Sequence, residues 1–120
     1  MLINISNHPV STWDNKQIKA ATELWGDIID IALPYIDPNL NGREVERIAE
    51  QGVSNYISEI QKYDEKNAFH VMGESVYCFH LIRLLKEAGY IVVASTTTRN
   101  VEYVGENKVT HFEFVQFRRY

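Results

Sequence analysis

Short apolar runs of strand length alternate along the chain with longer stretches in which apolar residues recur at helical spacing. Leu2, Ile3 and Ile5 lie among Asn4 and Ser6 and predict a strand that Asn7-His8-Pro9 ends. Ile18, Ala21, Leu24 and Trp25 then mark a helix. Ser11 or Thr12 is its expected cap, Asp14 favours its N-terminus and Gly26 closes it. Asp27 to Leu33 reads as a second strand ended by Pro34, and Tyr35 to Gly42 has the Asn, Asp-Pro and Gly content of a loop. Asn41 with Glu44 three residues on resembles a capping box, and Val45, Ile48, Ala49, Val53, Tyr56, Ile57 and Ile60 form one stripe to about Tyr63.

The rest of the chain is organised around the stretch from Phe69 to Arg99. Ala68 to Met72 is apolar enough for a strand covered on both faces, and it breaks at Gly73. From Ser75, Val76, Phe79, Leu81, Ile82, Leu84 and Leu85 predict a helix that Gly89 ends in a left-handed conformation. Tyr90 to Ala94 is the fourth strand, expected to stop at Ser95. Ser95-Thr96-Thr97-Thr98-Arg99 then reads as a polar loop with four hydroxyls and a guanidinium at the carboxyl end of a parallel strand, where open α/β sheets bind ligands. Val101 to Val104 and Val109 to Phe117 flank Gly105-Glu106-Asn107-Lys108 as a hairpin. Phe112 and Phe114 share a face while Val115 and Phe117 fall out of step, which a bulge or two covered faces would explain.

The order β-α-β-α-β-α-β-β implies an α/β fold: a mostly parallel sheet with a C-terminal β-hairpin and three helices over its faces. Ligands bind where the strand order reverses. With order 3-2-1-4 the crevice pairs the Asn7-His8 loop with Ser95 to Arg99. With order 2-1-3-4 it pairs that loop with Gly73-Glu74-Ser75.

A length of 120 residues fits one domain spanning 1–120, and a hydrophobic fraction of 45% with 23% charged residues excludes a disordered chain. The net charge of −4 disfavours a duplex nucleic acid as partner while leaving room for a local anion pocket. Cys78 has no second cysteine to pair with, which points to a reducing, cytoplasmic compartment. No membrane partner is expected, since no run approaches the length of a span and Met1 to Val10 lacks the basic start of a signal peptide.

The candidate chemistry lies in the loops. Arg99 is a bidentate phosphate clamp or a surface arginine at the hairpin base. Ser95, Thr96, Thr97 and Thr98 offer hydroxyls to phosphate or ribose, or form a polar connector. His8 is a general acid or base, since imidazole titrates near neutrality, or part of a turn. Gly73, Glu74 and Ser75 open a helix, where Glu74 either caps, binds a ribose hydroxyl or attacks a glycosidic carbon. No metal is expected, because Cys78 and His80 point to different helix faces and His70 and His111 lie on separate strands. Neither a GxGxxG nor a P-loop is present, so no cofactor is expected. Trp13, Trp25, Tyr56, Tyr77 and Phe79 suit a core or a dimer face.

The opening INISNHPVS, the MGES turn, the ASTTTR turn and the closing FEFVQFRRY resemble small stand-alone CRISPR-associated proteins that are Rossmann-like relatives of CARF domains, some of them ring nucleases. The resemblance implies a Rossmann-like three-layer sandwich and a homodimer holding a cyclic oligoadenylate second messenger across its two-fold axis. Active members cut that ring without metal, the ribose 2′-hydroxyl attacking the phosphate to leave a 2′,3′-cyclic phosphate. Asn7 and His8 in the first loop and Ser95, Thr96 and Arg99 in the fourth carry the correspondence. Two other readings stay open: a nucleoside N-glycosidase or deoxyribosyltransferase-like enzyme using Glu74, and a non-catalytic nucleotide-binding module.

Overall fold

The structure, a computed structural model, describes residues 1–61 and 66–120. In chain order its elements are β1 (Leu2–Ser6), a 3-10 turn (Val10–Thr12), α1 (Asn15–Trp25), β2 (Ile28–Asp30), α2 (Gly42–Ile60), β3 (Ala68–Met72), α3 (Ser75–Glu87), β4 (Ile91–Val104) and β5 (Asn107–Arg119). The five strands form one sheet in the order β2-β1-β3-β4-β5, with the first three pairings parallel and β4–β5 antiparallel. Of the two orders the pattern allowed, this is 2-1-3-4, so the reversal falls between β1 and β3.

The pleat sorts the core. Ile3, Ile5, Phe69, Val71 and Val92 pack with Val45, Ala49, Tyr56 and Ile60 of α2 and with Tyr77, Leu81 and Leu85 of α3. The alternate residues Leu2, Ala68 and Val93 pack with Trp13, with Ala21 of α1 and with Phe117. Burial of these branched side chains on both faces is what the continuous apolar runs of β1 and β3 encode.

Local chemistry sets the boundaries. Asn41 and Glu44 form the full reciprocal capping box at α2. The expected end of that helix at Tyr63 lies outside the described residues. At the end of α3, Gly89 takes φ 91°, its N–H donates to the Lys86 carbonyl and the Tyr90 N–H to that of Leu85, the pairing of a Schellman motif. Helix α1 corrects the sequence reading: Ser11 and Thr12 belong to the 3-10 turn, and Asp14 is the cap, accepting from the Gln17 N–H at 2.7 Å. Strand β2 is also shorter than expected, three residues rather than Asp27 to Leu33.

The larger correction concerns residues 95–99. They are not a loop but the middle of β4, which pairs with β3 only through Ile91–Val93 and then runs on with β5 as a two-stranded ribbon. Threonine is β-branched, and three in a row suit a strand as well as a polar loop. The ribbon turns at Gly105-Glu106, with Gly105 at φ 65° in the first central position. A register shift between Thr96 and Thr97 leaves Val115 as the extra residue of a bulge in β5, which accounts for the phase change between Phe114 and Phe117.

Candidate functional site

Four polar side chains from four adjacent strands meet at the carboxyl end of the sheet, on the face that carries α1. The Asn4 amide nitrogen donates to Asp30 Oδ1 at 2.8 Å and to the His8 carbonyl at 2.9 Å. Both partners only accept, which fixes the amide orientation and turns Asn4 Oδ1 toward His70 Nδ1, 2.8 Å away. His70 is therefore the Nδ1–H tautomer, and its bare Nε2 lies 3.3 Å from the Ser95 hydroxyl. The row Asp30–Asn4–His70–Ser95 crosses β2, β1, β3 and β4, with Asn4 and His70 each 1% exposed.

Neighbours hold this row in place. The Trp13 indole N–H donates to the His8 carbonyl at 3.0 Å, and its ring meets His70 edge-on at 5.2 Å. Asp30 accepts from the Val10 N–H, tying β2 to the loop after β1. Burial, with the nearby His8 adding to it, lowers the His70 pKa to about 4, so the ring is neutral at physiological pH.

Above the row opens a cleft of about 490 Å³, lined by His8, Asp14, His70, Ser95, Thr97 and Phe112 among others. His8, Ser95 and Thr97 are thus brought together. Asn7 is exposed and does not line this cleft. The four-hydroxyl set splits by the pleat: Thr96 bonds both ways with the Gln116 backbone at 3.1 and 3.3 Å, and Thr98 faces away with it. Arg99 lies on the same strand face as Ser95 and Thr97, opposite Phe112, exposed and without an ion pair among the described residues. Among the described residues no lysine or arginine lines the cleft, and Arg99, two residues beyond Thr97 on β4, stands outside its lining.

The loop after β3 is directed elsewhere. Glu74 caps α3, accepting from the Tyr77 N–H at 2.7 Å, and lines a separate hollow with Ile36 and Asp37. Its carboxylate is committed to the helix rather than to the cleft. At Gly73 a Cβ would lie 2.4 Å from Leu33 Cδ2, so the glycine serves packing. Gly73 and Ser75 border a larger hollow of about 710 Å³ along α3, where Cys78, Phe79 and Tyr120 make a largely apolar wall. Size does not decide between the two hollows; the polar row converges on the smaller. Cys78 is buried there, its thiol pushed up to about 11 by burial and then by Glu74, so it is no thiolate at neutral pH.

Sequence reading missed Asn4, Asp30 and His70. Each sits inside a strand, and the signal was parity: Asn4 and His70 interrupt apolar runs at the same pleat position as Ser95.

This is an α/β protein with a polar cleft at the carboxyl end of a mostly parallel sheet. The pairing of the Asn7-His8 loop with Gly73-Glu74-Ser75 expected for this strand order is not what forms it: His8 lines it with residues of β3, β4 and β5. The chain belongs to the family described as the uncharacterized protein MJ1673 family, whose model matches residues 1–118. No curated protein and no solved structure matches it. No helix among the described residues is long and apolar enough to cross a membrane.

Proposed function

We propose that the chain is a CARF-like, Rossmann-like three-layer sandwich of the cytoplasm that binds a cyclic oligoadenylate as a homodimer and cleaves it without metal. The observation that carries this reading is the cleft at the carboxyl end of the sheet, which His8 from the loop after β1 lines together with Ser95, Thr97 and the neutral ring of His70. The first-loop and fourth-strand motifs that resemble ring nucleases supply residues to this one cleft. Nucleotide phosphates would meet Arg99 and the Ser95 and Thr97 hydroxyls, while His8, at the open edge, would protonate the departing 5′-oxygen.

Incubation of stoichiometric protein with cyclic tri-, tetra- and hexa-adenylate, followed by mass spectrometry, tests the reading. The expected product is linear and ends in a 2′,3′-cyclic phosphate. Binding without turnover supports the non-catalytic module instead, and release of free adenine the N-glycosidase. Arg99→Ala is expected to weaken ligand binding by about 1.5–3 kcal/mol with the melting temperature unchanged, measured by calorimetry.

The α3 groove offers an apolar face for a second copy of the chain. Phe79 is 61% exposed and Tyr120 45%, and the two line this groove together. Light scattering at micromolar concentration should give twice the chain mass. Phe79→Glu should return it to the monomer, and a wild-type monomer would refute the homodimer.

A further inference from the structure

Resting on the nucleotide reading of the cleft, we propose that His70 Nε2 is the acceptor for a ribose 2′-hydroxyl, first as a hydrogen bond and then as the base for its proton, with Asn4 and Asp30 as positioning residues. The geometry leaves Nε2 a lone pair and no proton, because Asn4 Oδ1 engages the Nδ1–H at 2.8 Å and the Asn4 amide is itself fixed by Asp30 and the His8 carbonyl. Trp13 and Phe117 flank the ring edge-on, at 5.2 and 5.8 Å, so its plane is held as well as its tautomer.

Ser95 controls access to that lone pair. Its hydroxyl has two acceptors within reach, His70 Nε2 at 3.3 Å and Met72 Sδ at 3.2 Å. Turned to the sulfur, it frees Nε2 for a donor entering from the cleft and presents its own oxygen beside it. A neutral, desolvated acceptor pair of this kind selects a hydroxyl donor and leaves a buried acceptor unpaired when the hydroxyl is missing. The site therefore distinguishes ribose from deoxyribose.

The reaction step balances. The 2′-oxygen bonds to phosphorus as the bond from phosphorus to the 5′-oxygen breaks. The 2′ proton passes to His70 Nε2 while the departing 5′-oxygen takes a proton from His8, and both imidazoles then re-equilibrate with water. As the 2′-oxygen bonds to phosphorus, negative charge builds on the phosphoryl oxygens beside the ring and favours the imidazolium, which offsets the low basicity that burial imposes.

The test compares cyclic tetra-adenylate with its all-2′-deoxy counterpart, on wild type and on His70→Asn. The asparagine amide can still donate to Asn4 Oδ1, so the row survives while Nε2 is lost. Wild type is expected to bind the ribose ring roughly tenfold more tightly or better. His70→Asn should bind both rings alike and cut the ribose ring roughly 100-fold more slowly. A variant that keeps both the preference and the rate overturns the assignment while the nucleotide reading stands. If the variant does not fold, the wild-type comparison still decides, since equal affinity for the two rings overturns the assignment. Failure of wild type to bind or cut either ring overturns the nucleotide reading and this assignment with it.

Discussion

Asn4→Ala is expected to cost about 2–5 kcal/mol of folding stability, among the largest effects of any single truncation in the sheet. The asparagine serves four partners at once: it donates to Asp30 Oδ1 and the His8 carbonyl and accepts from His70 Nδ1 and the Ser6 hydroxyl. Alanine removes all four bonds and leaves the buried imidazole N–H of His70 without an acceptor, while the exposed Asp30 keeps the Val10 N–H. A buried polar group left without a partner costs roughly 1–3 kcal/mol, which sets the range. Thr98→Ala, on the exposed outer face of the ribbon, should stay within about 0.5 kcal/mol as a control. Urea denaturation of the three proteins checks this, and a cost for Asn4→Ala near that of the control would mean that the row is solvated rather than closed.

The second large effect is a pH dependence of stability carried by His70. Its pKa falls from an ordinary 6.5 to about 4 on folding, chiefly because burial disfavours the imidazolium. Between those values the unfolded chain binds a proton that the folded chain does not, so stability rises with pH across the window. The contribution is complete above pH 6.5, falls as pH drops toward 4, and changes no further below that. Over the full window it amounts to about 3 kcal/mol, at roughly 1.4 kcal/mol per unit. Carboxylates titrate in the same region, so the readout is a difference: the loss of stability from pH 7.5 to 4.5 should be smaller in His70→Asn than in wild type by about 2–3 kcal/mol. Parallel curves for the two proteins would contradict the buried neutral ring.

Much of the scaffold was legible in the chain because its signals are local. The Asn41–Glu44 box, the Gly89 termination and the two buried runs at β1 and β3 each declare themselves within a few residues. The strand order is a long-range property, and two orders satisfied the same pattern. Residues 95–99 misled because polarity and β-branching pull in opposite directions, and pairing with β5, set by residues 107–119, decided for the strand. The candidate site was half legible. His8, Ser95 and Thr97 advertise themselves as polar residues just past short apolar runs, whereas Asn4 and His70 look like interruptions of a core until the register aligns them. Glu74 shows the converse: its position at a helix start suggested chemistry, and the Tyr77 N–H accounts for it.

A crystal structure of His70→Asn soaked with whichever ring the wild type binds shows directly where a cyclic oligoadenylate sits. Ligand density is expected in the cleft between His8 and Ser95, with a ribose 2′-oxygen beside the Ser95 hydroxyl and a phosphate within reach of Arg99. Density along the α3 groove against Phe79 and Tyr120, with the cleft empty, would contradict it.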